Sequence, residues 1–149
     1  MEKPVAPLRH SLAAMNLTLS HCFVLVHDQD KALAFYSDTL GLQVRTDVNF
    51  EGMRWLTVGP ASQPDIEIVL ESPDMRAPAD QEPLKALLAK GALSTVIFVT
   101  DDCDATFEQL RAAGAEVLQE PIDQPYGVRD CAFRDPSGNQ LRFSERRAG

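Results

Sequence analysis

Residues 24–42, VLVHDQDKALAFYSDTLGL, and residues 98–117, FVTDDCDATFEQLRAAGAEV, read as one unit written twice, about seventy residues apart. Each runs from an apolar, β-favouring segment through an aspartate (Asp28, Asp101) into a helical pattern carrying Ala32 or Ala105, and stops at Gly41 or Gly114. A short carboxylate suits the start of a helix because it accepts the free N–H groups there, and glycine suits the end because it tolerates a left-handed backbone. An internal repeat of a whole supersecondary unit is a stronger statement about fold than any single motif.

Outward from the first copy, Leu17–Val26 alternates as a strand, with His21, Phe23 and Leu25 on one face and Cys22, Val24 and Val26 on the other. Asp28 or Asp30 caps the helix, whose Leu33, Tyr36 and Leu40 fall at helical spacing. Residues 42–50, 54–58 and 65–70 then read as strands, punctuated by Glu51–Gly52 and by Gly59, Pro60 and Pro64. Residues 71–93 are a connector with Pro73, Pro78 and Pro83 and a short helix over 84–90. The second copy repeats the order: strand 94–100, a helix capped by Asp101 or Asp102 with Phe107 and Leu110 inward, a strand opening at Val117, a loop at 123–127, and strands 129–133 and 140–144 around Asp135–Asn139. Each half is strand, helix, strand, strand, strand, and the pattern predicts an α+β fold of two βαβββ modules. The expected organisation is a flexible N-terminal arm over 1–14 and one domain over 15–146, divided into module one (17–71), connector (72–93) and module two (94–145).

Bulk properties bound the function. The 149 residues carry a formal charge of −8, which opposes binding to a phosphate backbone, so nucleic acid is excluded as a partner. No apolar run is long enough for a signal peptide or a membrane span. Cys22, Cys103 and Cys131 are odd in number and lack CxxC spacing, which predicts buried thiols in a reducing cytoplasm. GxGxxG, GxxxxGK, HExxH and GxSxG are absent, removing support for dinucleotide binding, P-loop chemistry, zinc proteolysis and the hydrolase elbow.

The chain resembles the vicinal oxygen chelate superfamily, which includes glyoxalase I, extradiol dioxygenases, methylmalonyl-CoA epimerase and the bleomycin and fosfomycin resistance proteins. The resemblance rests on His21–Asp28, on Ala32, Phe35, Tyr36 and Gly41, on Leu110–Gly114 and on the DPSGN turn at Asp135–Asn139, and covers roughly residues 17–145. It implies two curved mixed sheets around a cleft, a homodimer, and, in the metalloenzymes, one ligand on the first and one on the last strand of each module. Carried onto this chain, those positions are His21 and Glu67 in module one. In module two they are Ser94 or Thr95, and Arg142, on matching Ile66–Ile68 to Leu141–Phe143.

Two of those four residues are poor ligands, since a catalytic divalent site needs about three protein donors. A cation beside arginine also loses roughly 4 kcal/mol per unit charge at ~4 Å and an effective dielectric near 20. The expectation is therefore no metal cofactor, with zinc, nickel, manganese or iron on His21 and Glu67 as the alternative. Two readings of His21, Glu67 and Arg142 stay open: an ion pair across the cleft floor, or a polar floor that orients a ligand. Trp55 is either core or cleft wall, and Tyr126, on the loop 124–127, is a candidate for the cleft edge. Arg129, Asp130 and Arg134 read as a solvated, charged sheet face, and His27 as a solvated residue at the helix start. The expected function is a metal-free binder or resistance-type protein for an amphipathic or aromatic small molecule. The alternative is a metal-dependent lyase, isomerase or dioxygenase, glyoxalase- or dioxygenase-like, with His21 and Glu67 as ligands or as acid and base.

Overall fold

The computed structural model describes residues 13–147, so all but the last two positions of the expected N-terminal arm lie outside the described residues. Module one comprises β1 (His21–Leu25), α1 (Gln29–Leu33), β2 (Gln43–Phe50), β3 (Met53–Gly59) and β4 (Glu67–Glu71). A 3-10 turn (Pro73–Met75) and α2 (Pro78–Ala89) form the connector. Module two comprises β5 (Thr95–Val99), α3 (Cys103–Ala112), β6 (Glu116–Asp123), β7 (Val128–Arg134) and β8 (Gln140–Arg146). Each module folds into a four-stranded mixed sheet, ordered β1-β4-β3-β2 and β5-β8-β7-β6, with the first strand parallel to the last. The α+β architecture of two βαβββ modules is the one the repeat predicts.

Local chemistry explains the helix ends. Asp28 accepts from the amides of Asp30 and Lys31, and Asp102 from that of Ala105, so Asp28 and Asp102 are the caps among the alternatives in the sequence. After Leu33 the first helix widens into a π-helical segment, Ala34–Thr39, in which the Leu40 amide reaches back five residues to the Phe35 carbonyl at 2.9 Å. That widening carries both Phe35 and Tyr36 into the core. Gly41 and Gly114, at φ 77° and 88°, end the two helices in the left-handed conformation. The connector helix is longer than predicted: Pro78 occupies its first turn, where a missing N–H costs nothing, and the helix runs on through Pro83 at the loss of one helical hydrogen bond.

The modules share one core, built from the helix side of both sheets. Val24, Val26, Leu56, Val58, Ile68 and Leu70 pack with Ala32, Phe35 and Tyr36 in module one, and the same cluster takes in Cys103, Phe107, Leu110, Phe133, Leu141 and Phe143 from module two. Three polar contacts bolt the halves together: the Tyr36 hydroxyl donates to Asp135 Oδ2 at 2.6 Å, Asn139 Nδ2 to the Leu25 carbonyl at 2.7 Å, and the His27 amide to Ser137 Oγ at 2.8 Å. The opposite face of each sheet is open and apolar at many positions: Phe23, Val48, Phe50 and Met53 in module one, and Ile97, Val99 and Ile122 in module two, are exposed. Contiguous apolar faces of this kind mark a ligand or partner surface.

Candidate functional site

On the open face of module one, His21 and Glu67 are paired in register across the parallel β1–β4 ladder. His21 Nε2 lies 3.4 Å from Glu67 Oε2, and its Nδ1 lies 2.9 Å from Ser20 Oγ. Thr57, wholly buried in β3, donates its hydroxyl to Glu67 Oε1 at 2.6 Å and so orients the carboxylate. Trp55 is on this same face, half-buried and outside the shared core cluster. Its ring centroid is 6.2 Å from His21 and 5.9 Å from Phe23, the latter edge-on at 72°. The result is a polar group walled by aromatics, able to accept or donate hydrogen bonds and, through imidazole beside carboxylate, to move a proton.

Arg142 sits on the open face of module two, and its partners are not those the sequence suggests. Its Nη2 donates to Gln119 Oε1 at 2.6 Å and to Asp130 Oδ2 at 3.2 Å, with Nε 3.4 Å from the same oxygen. Glu67 is held by Thr57 and His21, and no hydrogen bond or ion pair joins Glu67 to Arg142 among the described residues. Asp130 is buried rather than solvated, in contrast to the sequence reading, because the β7 backbone points it toward Arg142. Gln119 Nε2 and Gln124 Nε2 each donate to its Oδ1 at 2.9 Å. Burial pushes the Asp130 carboxyl up, but the donors Gln124, Gln119 and Arg142 outweigh it and hold it below the usual aspartate value. Arg129 and Arg134 are partly buried rather than solvated, 22% and 28% exposed at their side chains and on opposite faces of β7, and they pair with Asp104 and Asp123 and with Glu116. Tyr126 is exposed on the β6–β7 turn, next to Gly127 at φ 90°, and that turn is tied to Asp130 through Gln124.

The ladders also correct the equivalence between the halves. The Glu67 amide donates to the Ser20 carbonyl and the Gln140 amide to that of Ser94; the Val26 amide donates to Glu71 and the Thr100 amide to Ser144. By these bonds His21 and Glu67 match Thr95 and Gln140, whose side-chain oxygens lie 3.3 Å apart. Arg142 is one side-chain step further along the same face. The cause is loop length: residues 60–66 join β3 to β4, whereas 135–139 join β7 to β8, two residues fewer.

A catalytic divalent metal requires about three protein donors and an open position. His21 and Glu67 are ordinary ligands, but their counterparts are a hydroxyl and an amide, and no cluster of three His, Cys, Asp or Glu exists among the described residues. These residues do not fit a catalytic metal site. The repulsion from Arg142 is not part of the reason, since Asp130 balances its charge. Cysteine chemistry is no substitute: burial, with Cys103 alongside, pushes the Cys131 thiol up to about 12, and burial raises Cys103 too. Cys22, contrary to expectation, is exposed, at the edge strand β1. His27 is exposed at the helix start, as read from the sequence. A recess of about 430 Å³ between the modules, lined by Phe35, Arg134 and Ser137, contains none of the candidate residues.

Among known proteins, a Bacillus subtilis (strain 168) protein of uncharacterized function, YurT, is 31% identical over 124 residues, covering 83% of this chain and 94% of its own. The crystal structure of UcmS2 superposes with a TM-score of 0.82 at 37% identity, covering 87% of this chain and 98% of that one. TnmS3, an antibiotic binding protein from Streptomyces sp. CB03234, superposes with a TM-score of 0.71 at 30% identity, covering 89% and 99%. The model of the Glyoxalase/Bleomycin resistance protein/Dioxygenase superfamily matches residues 18–143, spanning both open faces and the core between them, and the chain belongs to that family.

Proposed function

We propose that the chain is a metal-free small-molecule-binding protein of the resistance or sequestration type, holding an amphipathic or aromatic compound on its open sheet faces. The observation that carries this is the His21–Glu67–Thr57 group set between Trp55 and Phe23 on an uncovered face: apolar walls with a few converging polar groups are what orient a small ligand. Similarity to an antibiotic binding protein supports the ligand class. The reading includes a homodimer, in which a second copy covers the exposed Val48, Phe50 and Met53, and a cytoplasmic location, consistent with three free thiols. No helix among the described residues is long and apolar enough to cross a membrane.

The test is a thermal-shift screen with zinc, nickel, manganese and EDTA, followed by planar aromatic antibiotics and thiol adducts. The expected result is an unchanged midpoint with metals and chelator and a dose-dependent rise of several degrees with an aromatic compound. The His21–Glu67 contact favours a second reading, an enzyme of the glyoxalase or dioxygenase type. A rise with one metal that disappears in both His21→Ala and Glu67→Ala selects it instead.

A further inference from the structure

We propose that the Arg142 edge of module two is a site for an uncharged acceptor oxygen, a ring carbonyl or lactone, on a planar ligand; this rests on the small-molecule-binding reading above. The guanidinium is fixed on two sides by Gln119 and Asp130, and its Nη1 has no hydrogen-bond partner among the described residues. Its side chain is 20% exposed, and the bonds to Gln119 and Asp130 fix the direction of the remaining N–H groups. In register beside it lies Ile97, and one row further Val99 beside Ser144; both apolar side chains are exposed and form a flat floor for a ring. The opposite neighbour is Ala132, too small to block the guanidinium.

Charge selects the ligand class. Asp130, 3% exposed at its side chain, already answers the positive charge of Arg142. An anionic ligand would place a second carboxylate on one guanidinium, within reach of the first, and like charges so placed disfavour one another. A neutral carbonyl meets no such repulsion and still accepts the N–H bond, which is worth most where the donor is charged and positioned.

Fluorescence titration of the full chain with coumarin, coumarin-3-carboxylate and naphthalene tests this. Wild type should bind coumarin more tightly than either of the others, and Arg142→Met should weaken coumarin roughly tenfold or more while leaving naphthalene within about twofold. Asp130→Asn, shown folded by circular dichroism, should reverse the order of coumarin and its carboxylate, because the arginine is then unbalanced. If Asp130→Asn does not fold, Arg142→Met decides alone. Unaltered coumarin affinity in Arg142→Met, a wild-type preference for the carboxylate, or an unreversed order in folded Asp130→Asn overturns the proposal while leaving small-molecule binding intact. Failure of all three probes to bind wild type overturns both.

Discussion

Asp135 carries more hydrogen bonds than any other side chain described above. Its Oδ1 accepts from the amides of Ser137, Gly138 and Asn139, each at 2.9 Å, and its Oδ2 from the Tyr36 hydroxyl and Asn139 Nδ2. Burial, with the Asp135 carboxylate beside it, drives the Tyr36 phenol far above its ordinary pKa, which keeps the hydroxyl a donor to that carboxylate. Asp135→Ala would strand those amides without water and unmake the tie between modules. We expect a loss of roughly 3 kcal/mol or more in urea unfolding, against about 1–2 kcal/mol for Tyr36→Phe, which removes one bond. Asp130 gives a pH signature. Its pKa is lowered on folding, so its stabilisation is complete above the ordinary aspartate value of 3.8 and disappears as pH falls from there through the depressed folded value. Urea midpoints measured down an acid series should fall less steeply in Asp130→Asn than in wild type. The role of this residue was not legible beforehand: Val128–Arg134 carries three charges, Arg129, Asp130 and Arg134, around a short apolar run, and only the partners Gln119 and Gln124, brought from β6 and its turn, show that the one carboxylate of the set is buried.

At the scale of elements, the β7–β8 turn is the joint on which the connector rests. Gly138 sits at φ 119°, and a Cβ there would overlap the Leu88 carbonyl oxygen of α2. Gly138→Ala combines a strained backbone with that overlap, and calorimetry should show a loss of about 2 kcal/mol or more. Asp28→Ala, by contrast, removes only a helix cap and should cost about 1 kcal/mol. The order of the elements was readable from the sequence because alternation, capping aspartates and terminal glycines are local signals. The π-helical widening at Ala34–Thr39 was not, since it depends on fitting Phe35 and Tyr36 together into a core made by distant strands.

For the whole molecule, the helix-side core leaves both sheets with an apolar face outward. If a second copy covers the Val48–Met53 end of module one, Phe50→Asp should leave the secondary structure unchanged by circular dichroism yet lower the sedimenting mass from dimer to monomer, because a charge is then placed in an interface otherwise dry. An unaltered mass for this variant removes Phe50 from any interface. The amino-acid sequence by itself determined the duplicated βαβββ plan and the faces of β1 and β3 through short-range periodicity, while His21 with Glu67 as the polar pair of module one came from the resemblance to the superfamily. Only the tertiary structure decided that Gln140, not Arg142, matches Glu67, and that Arg142 and Glu67 each have partners within their own sheet. The reason is that strand register is set by loop length and ladder hydrogen bonds: the two residues missing between β7 and β8 move every later position one step along the sheet without turning it to the other face.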